Sequence, residues 1–271
     1  MFISHKYKAI FVHIQRTGGN SIQKIFESHD SALIETIAPH PSHQRTKHCY
    51  IADIAAVAPP QLLRDYTKFA VVRNPFERMV SWYAHFQDRG NSEDQGIKIG
   101  GESFAMNLYN RGLVALAGRT ALTLAYRRAW ARLYSALRPG SPEEVAFRFE
   151  AIGADVMHEV NRLAPSFDDF VRLPRKHPGG AFERFYANQL NYLCADPRSD
   201  ESPLLVDRVL RFETLPADFA ALAEQLGFPG RLPHVNASSR GKHYRESYTP
   251  AARDAIAARF ARDCEHFGYE F

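Results

Sequence analysis

At 271 residues the chain is long enough to bury one sizeable core or two small ones. Its 45% hydrophobic and 24% charged residues exclude a disordered or fibrous chain. A formal charge of +4 admits an anionic ligand but falls far short of the excess that would by itself point to nucleic acid, and none is expected. The three cysteines, Cys49, Cys194 and Cys264, are scattered, without a C-x-x-C pair or metal-ligand spacing to histidine. Free thiols in a reducing compartment are expected, with no metal centre and no catalytic cysteine.

The first apolar run, Ala9–Ile14, is too short for a signal-peptide core and predicts a buried strand by its β-branched and aromatic content. No run approaches the roughly twenty apolar residues of a membrane span, and the best candidate, Leu113–Tyr126, carries Arg119. A soluble, cytoplasmic protein is expected. A helix follows over Asn20–Ser28, with Ile22, Ile25 and Phe26 at helical spacing. Phe69–Val72 predicts a second buried strand. After it, Asn74 suits an N-cap, Pro75 the first helical position and Glu77 the first turn. Phe76, Met79, Val80 and Tyr83 then recur as on a core-facing helix.

The middle of the chain differs. Gly90–Gly101 is polar and glycine-rich, the composition of a mobile loop, and Glu102–Leu137 has helical character. Pro139–Pro142 breaks it before a further helical stretch, Glu143–Ala164. Residues 90–165 are therefore expected to be a helical insertion on one domain spanning residues 1–271. Towards the C-terminus, Val206–Phe212 predicts a third strand and Pro216–Leu226 a helix stopped by Gly227. A last helix, capped by Thr249 and opened by Pro250, carries Ile256, Phe260, Cys264 and Phe267 along one side. Strands alternating with helices predict an α/β fold with a mainly parallel sheet, and ligands in such sheets bind beyond the carboxyl ends of the strands.

Two strand-to-helix corners carry the chemistry. In the first, Gln15–Ser21, Gly18 and Gly19 permit a tight turn, Arg16 adds a cation and Ser21 a hydroxyl at the helix start. A plain glycine turn accounts for these residues equally well. There is no G-x-x-x-x-G-K-[ST] string and no evident strand-borne Asp for Mg²⁺, which argues against a nucleotide kinase. In the second corner, Arg73 leaves the strand and Ser81 lies on the next helix, outside the apolar stripe. An arginine fork with a hydroxyl suits a terminal phosphate. Arg78 either joins them or makes a surface ion pair.

The strings HIQRTGGNS and VVRNPFERMVSWY resemble the 5′- and 3′-phosphate-binding motifs of sulfotransferases that use 3′-phosphoadenosine 5′-phosphosulfate (PAPS). Within that group they are similar to the carbohydrate type that includes heparan sulfate 2-O-sulfotransferases and their bacterial relatives. Arg211–Leu215 (RFETL), His234–Asn236, Tyr248–Pro250 and Phe267–Tyr269 extend the resemblance over most of the chain outside the insertion. The resemblance implies a P-loop NTPase-like parallel central sheet flanked by helices. It implies that Arg16, Thr17, Gly18, Gly19, Asn20 and Ser21 cradle a 5′-phosphosulfate, and that Arg73 and Ser81 hold a 3′-phosphate. It also implies sulfuryl transfer to a hydroxyl without a metal. Arg16 stands where the family has Lys and Asn20 where it has Thr, so charge stabilisation in place of proton donation is expected at Arg16. Thr46–Asp53 resembles the context of the family's histidine base, which points to His48, with His43 and His40 as alternatives.

Two segments have two readings each. Ser103–Arg138 holds Arg111, Arg119, Arg127, Arg128, Arg132 and Arg138 and no acidic residue, with Tyr126, Trp130 and Tyr134 at helical spacing. An amphipathic helix with a solvated arginine face explains it; so does a platform for a carbohydrate or lipid-linked glycan acceptor with peripheral membrane contact. The basic loop Asn236–Tyr244, with Arg240 and Lys242, is either surface or, by resemblance, a cover for the nucleotide. Asp207 and Glu213 fit a strand end and its cap better than paired acid and base carboxylates. Beside the sulfotransferase reading stands a protein that binds PAPS or polysaccharide but has lost turnover.

Overall fold

The structure, a computed structural model, describes residues 1–35, 46–90, 104–116, 119–137, 160–173, 186–199, 201–232 and 244–271. Of the expected loop Gly90–Gly101 only Gly90 is described, as the last residue of a helix. The rest of it, the break at Pro139–Pro142, residues 143–159 of the expected helical stretch, His40, His43, His234–Asn236, Arg240 and Lys242 lie outside the described residues. The chain divides into two compact units. One comprises Met1–Arg78, Asn188–Glu246 and Phe260–Phe271, the other Met79–Ala187 and Ser247–Arg259.

The first unit is built on a four-stranded sheet, in spatial order β1 (Phe2–Ser4), β2 (Ala9–Val12), β3 (Thr67–Val72), β4 (Arg208–Arg211). β2 and β3 run parallel with Phe11 opposite Phe69, and β3 and β4 run parallel with Val72 opposite Arg211. The fold is therefore mixed α/β with a mostly parallel sheet. β1 is an addition to the expected strands: it pairs antiparallel with β2, Phe2 opposite Phe11. Three residues are too few to show a period, so only the pairing reveals it.

Helix α1 (Gly19–His29) follows β2; α2 (Ile51–Val57) and α3 (Pro60–Asp65) precede β3; α4 (Pro75–Gly90) follows it. α1 buries Ile22 and Phe26 against the sheet's Phe2, Phe11 and Phe69. Phe26 stacks on Phe228 at 4.1 Å between ring centroids, and lies 4.6 Å from Phe2. Asn74 does cap α4: its Oδ1 accepts from the Phe76 N–H at 3.0 Å. All three cysteines are free, and burial pushes the Cys49 thiol up to about 12.

In the second unit, α5 (Phe104–Ala115) meets α6 (Thr120–Leu137) through the stacked rings of Tyr109 and Tyr126, and Trp130 packs edge-on to both. α6 departs from a simple arginine face. Arg127 is buried, Arg128 and Arg132 are exposed, and Leu122 and Leu133 are exposed beside them. α7 (Phe167–Arg172) is capped by Ser166, whose Oγ accepts from the Asp169 N–H at 3.2 Å.

In the first unit, α8 (Leu215–Leu226) ends at Gly227 in the left-handed conformation, φ 59°. The expected single last helix is instead two, α9 (Pro250–Arg259) and α10 (Ala261–Phe267), broken at Phe260 with φ −110° and ψ 27°. Ile256, Phe260 and Phe267 of the expected stripe are buried, Cys264 is only partly so, and Asp263 is fully buried. No described helix is long and apolar enough to cross a membrane.

Phe26→Ala removes a ring that touches both the sheet and Phe228. We expect it to destabilise the fold by about 3–5 kcal/mol in chemical denaturation, the range for a buried aromatic truncated to alanine.

Candidate functional site

Because β2 and β3 are parallel neighbours, the turns that leave their carboxyl ends come together. Arg73 donates from Nη1 to the Arg16 carbonyl at 3.2 Å, and Arg78 donates from Nε to the Gln15 carbonyl at 3.0 Å. The second corner thus grips the backbone of the first. Arg78 is fully buried, and burial lowers its pKa while Tyr192 and Asp263 oppose the shift, so the surface ion pair is not what the structure shows. Tyr192 donates to the Gln15 side-chain oxygen at 2.6 Å, which completes the hold on that residue.

The held segment is bent. Arg16 has φ 66°, a left-handed conformation that costs a non-glycine residue about 1–2 kcal/mol. Gly18 follows at φ 86° and forms the N-cap of α1. No side chain caps that end, and the first turn holds no acidic residue. An uncapped helix start with a cation just before it is suited to an anion. Gly18 and Gly19 have no room for a side chain: a Cβ at Gly19 would lie 2.5 Å from Cδ2 of His13, and one at Gly18 2.9 Å from the Phe212 ring. Asn20 is exposed and Ser21 half-buried. Thr17 is fully buried, with its hydroxyl donating to the Ile14 carbonyl at 3.0 Å.

Arg73 is nearly buried and anchored on several sides. Nη2 pairs with Glu77 at 2.7 Å, and the guanidinium lies 4.1 Å above the centroid of Phe212. Arg211–Leu215 thereby acquires physical roles: Phe212 supports both Arg73 and Gly18, and Glu213 accepts from the Asn74 N–H at 2.6 Å and from the Tyr269 hydroxyl at 3.1 Å. Asp207 pairs with Lys68 at 2.8 Å and accepts its backbone N–H at 2.7 Å. Both carboxylates are structural. Ser81 lies on α4 within the second unit, and is buried.

His48 sits in a short 3-10 turn, Thr46–His48, half-buried, with Nδ1 2.9 Å from the His13 carbonyl oxygen. A carbonyl can only accept, so Nδ1 carries a proton and donates; in the neutral ring the lone pair is then on Nε2. The two imidazoles meet edge to face at 4.6 Å. His13, which the motif contained but sequence reasoning did not single out, is therefore wedged between His48 and the glycine turn. Burial, followed by His48, the amino terminus and Lys47, holds its pKa well below the ordinary value of 6.5.

A model described as the sulfotransferase family matches residues 1–270. The chain belongs to the sulfotransferase family. No curated protein and no solved structure matches it. The two linked corners, Arg73 and the His48 imidazole all lie in the first unit. Gln189 and Asp263, buried at the Arg73 corner, went unread because both are distant in sequence; polar residues inside an apolar stretch were the only signal.

The depressed pKa of His13 sets a sign for stability. The unfolded chain takes up a proton near 6.5 and the folded one at lower pH, so stability is complete above 6.5 and declines as pH falls towards the folded value. His13→Gln should flatten that decline in urea titrations run between about pH 7 and pH 5. An undiminished slope in the variant would remove His13 as its source.

Proposed function

We propose that this sulfotransferase carries a sulfuryl group from PAPS to a hydroxyl of a carbohydrate or related acceptor, as in the heparan sulfate 2-O-sulfotransferase type with its bacterial relatives. The observation that carries the reading is the tautomer of His48, whose Nδ1 donates to the carbonyl of the residue that backs the glycine turn. The reading adds a P-loop-like role for Gln15–Ser21: Arg16 and the N–H groups at the start of α1 take the 5′-phosphosulfate. Arg73 takes the 3′-phosphate, with Ser81 as its partner in the motif and Arg240 and Lys242 in the late loop closing over the nucleotide.

PAPS, when bound, supplies an electrophilic sulfur and a phosphate leaving group. His48 takes the acceptor's hydroxyl proton on Nε2 as that oxygen bonds to sulfur and the bridging S–O bond breaks. The products are the sulfate ester, the protonated imidazole and adenosine 3′,5′-bisphosphate. Arg16 answers the charge that grows on the departing phosphate but keeps its own proton, since a guanidinium stays charged near neutral pH. Arg73 already pairs with Glu77, so a phosphate there competes with or displaces that carboxylate. The helical insertion, with Arg128 and Arg132 exposed, offers a surface for a glycan or lipid-linked acceptor at a membrane.

The test is turnover of PAPS over a panel of glycans, followed by mass spectrometry, without ATP or Mg²⁺. His48→Ala should lower kcat by about 10²–10⁴-fold, the usual contribution of a positioned base, while nucleotide binding persists. Arg16→Ala should also lower kcat. Full activity in His48→Ala would reassign the base, and nucleotide binding without turnover on any acceptor would mark a protein that binds but does not transfer.

A further inference from the structure

Gln189 stands opposite the peptide at the end of β3. Its Oε1 accepts from the Arg73 N–H at 2.9 Å and its Nε2 donates to the Arg73 carbonyl at 2.8 Å. One side-chain amide therefore pairs in both directions with the backbone of one residue, as a neighbouring strand would. Gln189 is fully buried and is itself fixed by Asp263 on α10. That carboxylate accepts from the N–H groups of Gln189 and Leu190 at 2.8 and 3.0 Å, and from Gln189 Nε2 at 3.3 Å. The amide cannot flip: reversal would set Oε1 against the Arg73 carbonyl and the carboxylate, and Nε2 against an N–H.

We infer that Gln189 and Asp263 are positioning residues for Arg73, fixing the direction in which its guanidinium leaves the strand. The inference rests on the PAPS reading, in which Arg73 holds the 3′-phosphate. A planar fork recognises phosphate by direction as well as charge, so a peptide free to rock at residue 73 loses affinity chiefly at that phosphate, while the first corner keeps its hold from Arg78 on the Gln15 carbonyl. The ring of Phe212 and the Arg16 carbonyl restrain the far end of the same side chain, while Gln189 restrains its root.

Calorimetry on the full chain tests this, with adenosine 3′,5′-bisphosphate and adenosine 5′-phosphate as probes. Gln189→Met and Asp263→Asn should each weaken the bisphosphate about tenfold and the 5′-phosphate by less than about twofold, as expected for loss of buried hydrogen bonds that act on one contact. In an Arg73→Met background, Gln189→Met should add nothing. Equal losses for both nucleotides, or full additivity with Arg73→Met, would overturn the inference. An unmodified protein that binds neither nucleotide, or does not distinguish them, removes the PAPS reading itself. Should both variants fail to fold, a crystal structure of the unmodified protein with the bisphosphate decides. Arg73 on the 3′-phosphate with the Gln189 pairs closed supports the inference; the phosphate held elsewhere, or the pairs open, refutes it.

Discussion

Two guanidinium groups, one from the end of β3 and one from the first turn of α4, reach carbonyl oxygens just beyond the end of β2, Arg73 to Arg16 and Arg78 to Gln15. Charge-assisted bonds to backbone carbonyls are stronger than neutral ones, and these are shielded from water by burial. They hold a bend that the local sequence does not favour, with a non-glycine residue at positive φ two positions before the helix cap. Without them the first corner would be an ordinary glycine turn. With them it is a shaped turn that opens an uncapped helix end next to a cation.

The rest of the site is assembled around that bend. Gly19 is pressed on His13, and His13 lends its carbonyl to Nδ1 of His48. From the opposite side Phe212 supports Gly18 and the plane of Arg73 together. His48 and the glycine turn are thus joined through a few direct contacts by way of His13. On the reading proposed above, such an arrangement is preorganised for transfer of a charged group, since donors already in place need not reorganise when charge moves.

Much of this was legible in the chain. Apolar runs marked β2, β3 and β4, and the sequences around Asn74 and Gly227 marked where helices begin and end, because capping is a local matter. What stayed hidden was non-local. β1 is too short to carry a pattern, and the break at Phe260 has neither proline nor glycine to announce it. The Arg73, Gln189 and Asp263 cluster joins three distant stretches, and a buried polar residue looks in sequence like any exposed one. Arg78 shows the ambiguity best: its place on the helix suited a surface ion pair, yet the fold encloses it completely.

The left-handed backbone at Arg16 carries a last implication. Glycine would occupy that conformation with less strain, so a long cationic side chain there is maintained against the local preference of the main chain. On the proposed function, fold and chemistry make opposite demands on one residue, and Arg16→Gly would serve the first by sacrificing the second.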